Sequence, residues 1–255
     1  MPGPPSILAR PPVRTPARAG WIFSMTNEGF PGRWIEGVGL VAGPALVMGG
    51  VLLKLGYDAF FPEQLAAFAG SPGRLTAAYS CFAAGVVLLA AAVLGLARRI
   101  AATHPLLAQW GMALTLAGLF ARAFHAGVSH LAFQLVDVQG LRTAQQAISE
   151  QYGSFHVFQT INLATMAGWV VLAAGTWRSG ALGRVQSVAL ALMAAMPVGV
   201  LKGTGVTSII AAAGLCVALV PLGVKVLARG PAPKWWTYPL AAVIVAGATL
   251  ISLAG

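Results

Sequence analysis

The side chains with chemistry to offer lie between positions 122 and 162. Arg122, His125, His130, Gln134 and Asp137 are followed by His156, Gln159 and Asn162, and three of the chain's four histidines are among them. A guanidinium binds carboxylate or phosphate groups through a fixed fork of donors. An imidazole moves protons near neutral pH or ligates a metal. His125 and His130 are five residues apart, which turns them about 140° away from each other on a helix, so they do not form the i, i+4 pair that grips one ion. No metal site is expected.

At about 100° per residue, Arg122, His125 and Ser129 fall on one helical stripe, with His130, Gln134 and Asp137 on an adjacent one. His156, Gln159 and Asn162 recur every three residues on the next apolar segment and form a second polar stripe. Two antiparallel neighbours would bring these stripes together. The expected ligand-binding set is therefore Arg122, His125, His130, Gln134, His156, Gln159 and Asn162, with His125 and His156 as the catalytic candidates for acid–base work. Ionisable groups inside a bilayer are costly and face a partner or a cavity. The competing expectation is an interhelical hydrogen-bond network that fixes the two helices together.

The elements that carry these residues are apolar. With 58% hydrophobic and 9% charged residues and a mean hydropathy of +0.79, the chain has too little polar surface to solvate a globule and reads as an all-α membrane protein. A net charge of +10 is spread in ones and twos between apolar runs, a topology signal and not a nucleic-acid surface. Cys81 and Cys216 fall inside apolar segments and read as packing thiols.

Seven spans are expected, at about 35–56, 75–97, 106–136, 155–177, 182–201, 206–227 and 236–254. The third covers about 31 residues, roughly 46 Å at 1.5 Å per residue. A hydrocarbon core is about 30 Å thick, so this helix must tilt or project. Gly37, Gly39, Gly43, Gly49 and Gly50 in the first span permit close helix approach. Pro62 opens a short interfacial helix to Phe68, and Thr143 to Gln146 fit a capping box for a surface helix to about Gln151, with Ser154 capping the helix that follows. Trp235, Trp236 and Tyr238 form an interfacial anchor for the last span.

Residues 1–24 are rich in proline and arginine and are expected to be disordered, an extension upstream of a natural start at Met25. Residues 25–255 form one domain. With a cytoplasmic N-terminus, eleven basic residues collect on the inner side and four (Lys54, Arg74, Arg142, Lys202) on the outer, with Arg122 inside the third span. That sets the N-terminus in and the C-terminus out. Lys54, Tyr57 and Asp58, with Lys202 and Thr204, lie at the outer level of the polar stripes, where the two lysines are expected to snorkel to headgroups. Glu36 is expected to cap the start of the first helix, and Met193 and Met196 to face lipid or pack.

Several identities fail on residues. The last span holds no lysine for a retinal Schiff base, no internal repeat marks a transporter, and no filter motif marks a channel. Small seven-helix membrane cyclases acting on prenyl chains resemble the chain in size and span count. That resemblance implies a protonating carboxylic acid within the membrane, and Asp58, Asp137 and Glu150 lie at helix ends instead. The functional expectation is a multi-pass protein that binds a small polar, anionic or amphipathic ligand in an outward-facing pocket on helices three and four. The alternative is a membrane-embedded enzyme, cyclase-like or isomerase-like, working on a lipophilic substrate. The expected partners are the lipid bilayer and a small lipophilic or anionic ligand, with no nucleic acid, and the sequence names neither a cofactor nor an oligomeric state. The Gly/Ala richness and low lysine count fit a bacterial cell membrane.

Overall fold

The computed structural model describes residues 31–57, 60–151, 157–195, 205–229, 232 and 234–254, with the side chains at 151, 159, 162 and 252–254 outside that description. Every regular element among the described residues is helical. They are α1 (Arg33–Leu53), α2 (Glu63–Gly70), α3 (Pro72–Ala101), α4 (Pro105–Gln139), α5 (Leu141–Gln151), α6 (Val157–Ser179), α7 (Arg184–Ala191) running into a 3-10 turn (Leu192–Ala195), α8 (Val206–Ala228) and α9 (Thr237–Ala254). Four of these, α1, α3, α4 and α8, are long and apolar enough to cross a membrane. Helix α6 has 23 residues.

Prolines set several boundaries, since a first-turn proline loses no hydrogen bond and arrives with a helical φ. Pro72 and Pro105 open α3 and α4 in this way. Gly140, at φ 81°, ends α4 in a backbone region that disfavours L side chains. Helix α5 starts directly after it at Leu141, so Thr143 lies within the first turn and not at the cap. The proposed cap at Ser154 lies outside the described residues.

The long helices pack on one another in chain order, α1 on α3, α3 on α4, α4 on α6, α6 on α7 and α7 on α8, and α8 closes the ring on α1. Neighbours are antiparallel. Along α4 the close approaches Gly111 to Leu172, Gly118 to Thr165, and Phe124 to Phe158 run against falling numbers on α6. The pairing expected between the third and fourth spans is thus present.

The α1 glycines serve two interfaces. Gly39, Gly43 and Gly50 lie against α3, where an added Cβ on Gly50 would meet the Ala78 carbonyl oxygen at 2.8 Å, while Gly37 faces Leu227 of α8. Gly85 on α3 returns the approach, with the Val47 nitrogen 2.8 Å from its would-be Cβ. Without side chains at these points the backbones approach closely enough for dispersion and Cα–H contacts to hold the helices. Gly49 has open space around it.

Glu36 does not act as an interfacial cap. It is 1% exposed and reaches across to α3, where Arg98 binds it at 2.9 Å and Arg99 also donates to it. A buried carboxylate needs this compensation. At the opposite end of α1, Arg74 donates to the carbonyls of Leu53 and Leu55, and the Tyr57 hydroxyl donates to Ser71. Carbonyls left free by the end of α1 are satisfied there by a side chain of the next long helix.

Helix α9 stands apart from the ring, with Tyr238, Leu240, Val243, Ile244, Val245, Leu250 and Ile251 all exposed. A second, smaller cluster beside the ring joins α2, α3, α4 and α5 through Leu65, Phe68, Leu75, Tyr79, Phe133 and Ala144.

Candidate functional site

Arg122 sits near the middle of α4 and is 5% exposed. Its Nη2 is buried with no hydrogen-bond partner among the described residues. It lines a small cavity at the centre of the ring, whose other walls are Val47 from α1, Phe82, Val86 and Leu89 from α3, Leu119 from α4, Thr165 and Trp169 from α6, and Met193 from the 3-10 turn. The lining that faces the space is wholly apolar, so the polar atoms of these residues sit behind it.

Two further polar atoms of that wall are orphaned. Thr165 is 3% exposed and Trp169 is fully buried, and neither Thr165 Oγ1 nor Trp169 Nε1 has a partner among the described residues. Helical threonines commonly donate to a carbonyl one turn back, as Thr176 does to Ala173 on the same helix. Thr165 does not. Thr165, Trp169, Leu172 and Thr176 recur at i, i+4, i+7 and i+11, and all four are buried, so they form the inner stripe of α6. Gly118 admits Thr165 to the α4–α6 contact, and Gly168 admits Thr115 in return.

The second buried cation is Lys54, just past the end of α1. It was expected to snorkel to headgroups, but it is 6% exposed, with its ammonium 3.6 Å from the centroid of the Tyr79 ring and 5.0 Å from that of Phe82. The aromatic faces of α3 supply the attraction that water would otherwise give. Phe82 also walls the cavity, so one ring borders both the lysine and the cavity. Neither cation pairs with a carboxylate among the described residues; Glu36 is occupied by Arg98 and Arg99.

The other expected residues disperse. His125 is half-buried, 5.7 Å from the Phe124 ring, which stacks at 4.2 Å on Phe158 of α6. His130 is half-buried edge-on to Tyr79 at 6.4 Å and Phe133 at 6.2 Å and does not line the cavity. Gln134 and Asp137 are exposed. His156, Asp58, Lys202, Thr204 and Met196 lie outside the described residues, as do the side chains of Gln159 and Asn162. Met193, expected to pack or face lipid, is buried and lines the cavity.

Of the expected residues, the structure buries Arg122 among the cavity-lining residues and sets the other described ones apart from them. In place of a continuous polar face it forms an apolar-lined cavity whose lining residues include three with unpartnered buried polar atoms, near a lysine packed against aromatic rings. Among the described residues no group of three or more histidine, cysteine or acidic side chains gathers at metal-binding distance. No protein-family model, curated sequence or solved structure matches the chain.

Proposed function

We propose that the chain is a multi-pass membrane protein that binds a small anionic ligand inside its helical ring, with Arg122 as the anchor. The observation that supports this most directly is the pair of buried cations, Arg122 and Lys54, without a carboxylate partner among the described residues. An isolated buried charge is strongly destabilising. A bound anion removes that penalty, which gives the fold an intrinsic reason to hold one.

In this reading residues 25–255 form one domain of seven spans, made by α1, α3, α4, α6, the α7 segment, α8 and α9. The antiparallel alternation puts Arg33, Arg98, Arg99, Arg178, Arg184, Lys225 and Arg229 at one end of the ring, which we assign to the cytoplasm by the positive-inside rule. The composition favours a bacterial cell membrane. No specific observation favours the acid–base alternative, because His125 lies against Phe124 and outside the cavity wall.

Thermal unfolding of the detergent-purified chain, with small anions and an anionic amphiphile added in turn, tests the proposal. At least one anion is expected to raise the midpoint by a few degrees, about 2–4 °C per kcal/mol for a chain of this size, and Arg122→Ala is expected to abolish the rise. Equal midpoints with and without every anion would overturn it.

A further inference from the structure

The basic residues at the arginine-rich end of the ring are not all engaged alike. Arg98 and Arg99 hold the Glu36 carboxylate, whereas Arg178, Arg184, Lys225 and Arg229 are exposed and pair with no carboxylate among the described residues. The other described acids, Glu63, Asp137 and Glu150, belong to the opposite end. Two contacts gather the four cations at one corner. The Thr176 and Ser187 hydroxyls hydrogen-bond at 3.0 Å, which ties the last turn of α6 to the first turn of α7 and sets Arg178 level with Arg184. Gln186 Nε2 donates to the Ala218 carbonyl at 3.4 Å, and the Ala189 carbonyl faces Gly214. That antiparallel register carries α8 past the start of α7, so Lys225 and then Arg229 follow beyond Arg184 at the same end. The Arg184 guanidinium lies 6.0 Å from the Trp177 ring centroid, within cation–π range, which holds it over the turn between α6 and α7.

Next to these charges the same elements turn apolar surface outward. Trp177 on α6, Val185 and Val188 on α7, and Val217 and Val224 on α8 are all exposed. We propose that this corner binds an anionic phospholipid, its phosphodiester held by Arg178, Arg184 and Lys225 and its acyl chains laid along the valines of α7 and α8. The inference goes beyond the interior anion reading and needs only that the long helices cross a membrane. A guanidinium fork matches phosphate oxygens in geometry as well as charge, and basic pockets between membrane helices bind such headgroups. A zwitterionic lipid brings its own cation, which the four basic residues repel. An acidic protein would answer the charges but leave the adjoining apolar strip uncovered, and so would a free phosphate. A topology signal needs basic residues only on the correct side of the bilayer. Their convergence from three elements on one corner, with Arg184 set over an indole, supports a site in addition.

The test uses the full chain in detergent, prepared in sodium gluconate, with phosphatidylglycerol or phosphatidylcholine titrated into the micelles. Thermal unfolding is followed for wild type, the double variant Arg178→Gln/Arg184→Gln, Lys225→Gln, Arg142→Gln and Arg122→Gln, each first confirmed as folded by an unchanged gel-filtration profile. The proposal expects saturable stabilisation of wild type by phosphatidylglycerol and little by phosphatidylcholine. The double variant should weaken the apparent phosphatidylglycerol affinity on the order of thirtyfold and Lys225→Gln about fivefold, the usual loss for two and for one basic residues near an anionic surface. Arg142→Gln, exposed at the opposite end, and Arg122→Gln, in the interior, should keep the wild-type response. Equal stabilisation by the two lipids would overturn the proposal, as would a loss in Arg142→Gln as large as in the double variant. Displacement of the lipid by inorganic phosphate would also overturn it and make the corner a phosphate site. A wild-type dimer that the double variant disperses would give the face to a second copy and overturn it too. A phosphatidylglycerol response lost in Arg122→Gln and kept in the double variant would overturn this proposal while leaving the interior anion reading standing.

Discussion

The Lys54 ammonium lies 3.6 Å above the Tyr79 ring, buried at the end of α1. The ammonium lies out of solvent against the rings of Tyr79 and Phe82. Its burial brings a second basic side chain into the interior beside Arg122.

Replacing Lys54 by methionine keeps most of the apolar contact and removes one of the two repelling charges. The cation–π attraction lost is about 1–2 kcal/mol, and relief of desolvation offsets it. Lys54→Met should therefore unfold within about 1 kcal/mol of wild type in gluconate, while binding the stabilising anion more weakly. Chemical unfolding in detergent across an anion series measures both.

The helix contacts give a paired prediction. In Gly85→Ala the new Cβ would press on the Val47 nitrogen and the Gly43 carbonyl of α1, and overpacking of this kind costs about 1–3 kcal/mol. Gly49 has nothing within 4 Å of a new Cβ, so Gly49→Ala should be neutral or stabilising by up to about 1 kcal/mol through helix propensity. Unfolding midpoints of the two variants, measured side by side, check the close approach of α1 and α3.

His125 separates binding from acid–base chemistry. Because it packs edge-on to Phe124 and does not wall the cavity, His125→Ala is expected to keep the wild-type anion affinity while losing at most about 1–2 kcal/mol of stability from its ring contacts. An anion titration of the variant is the check; a large loss of affinity in a folded His125→Ala would move the site toward that histidine.

The helices and the antiparallel pairing of α4 with α6 were legible because apolar runs, first-turn prolines and glycine spacings are local signals. Arg122 stood out for the same reason, as a charge inside an apolar run. Lys54 did not, because a lysine at the end of such a run looks alike whether it reaches headgroups or lies under Tyr79, and the deciding ring is on another helix. Glu36 was misread in the same way, since its partners Arg98 and Arg99 come from the far end of α3. Thr165 and Trp169 hid among residues that ordinarily pack; their i, i+4 spacing was visible, but only the ring places that stripe opposite Arg122. His130, Gln134 and Asp137 looked like site residues because helical spacing alone does not say where the neighbouring helices stop. Asp137 and Gln134 lie on an exposed face of α4.

The most direct measurement is the unfolding free energy of wild type and Arg122→Gln as a series of small anions, chloride and phosphate among them, replaces gluconate at constant ionic strength. Linkage makes a ligand that binds only the folded state add about 1.4 kcal/mol per tenfold rise in concentration above its dissociation constant. The account predicts that rise for wild type and a flat line for Arg122→Gln. Parallel lines for the two proteins would contradict it.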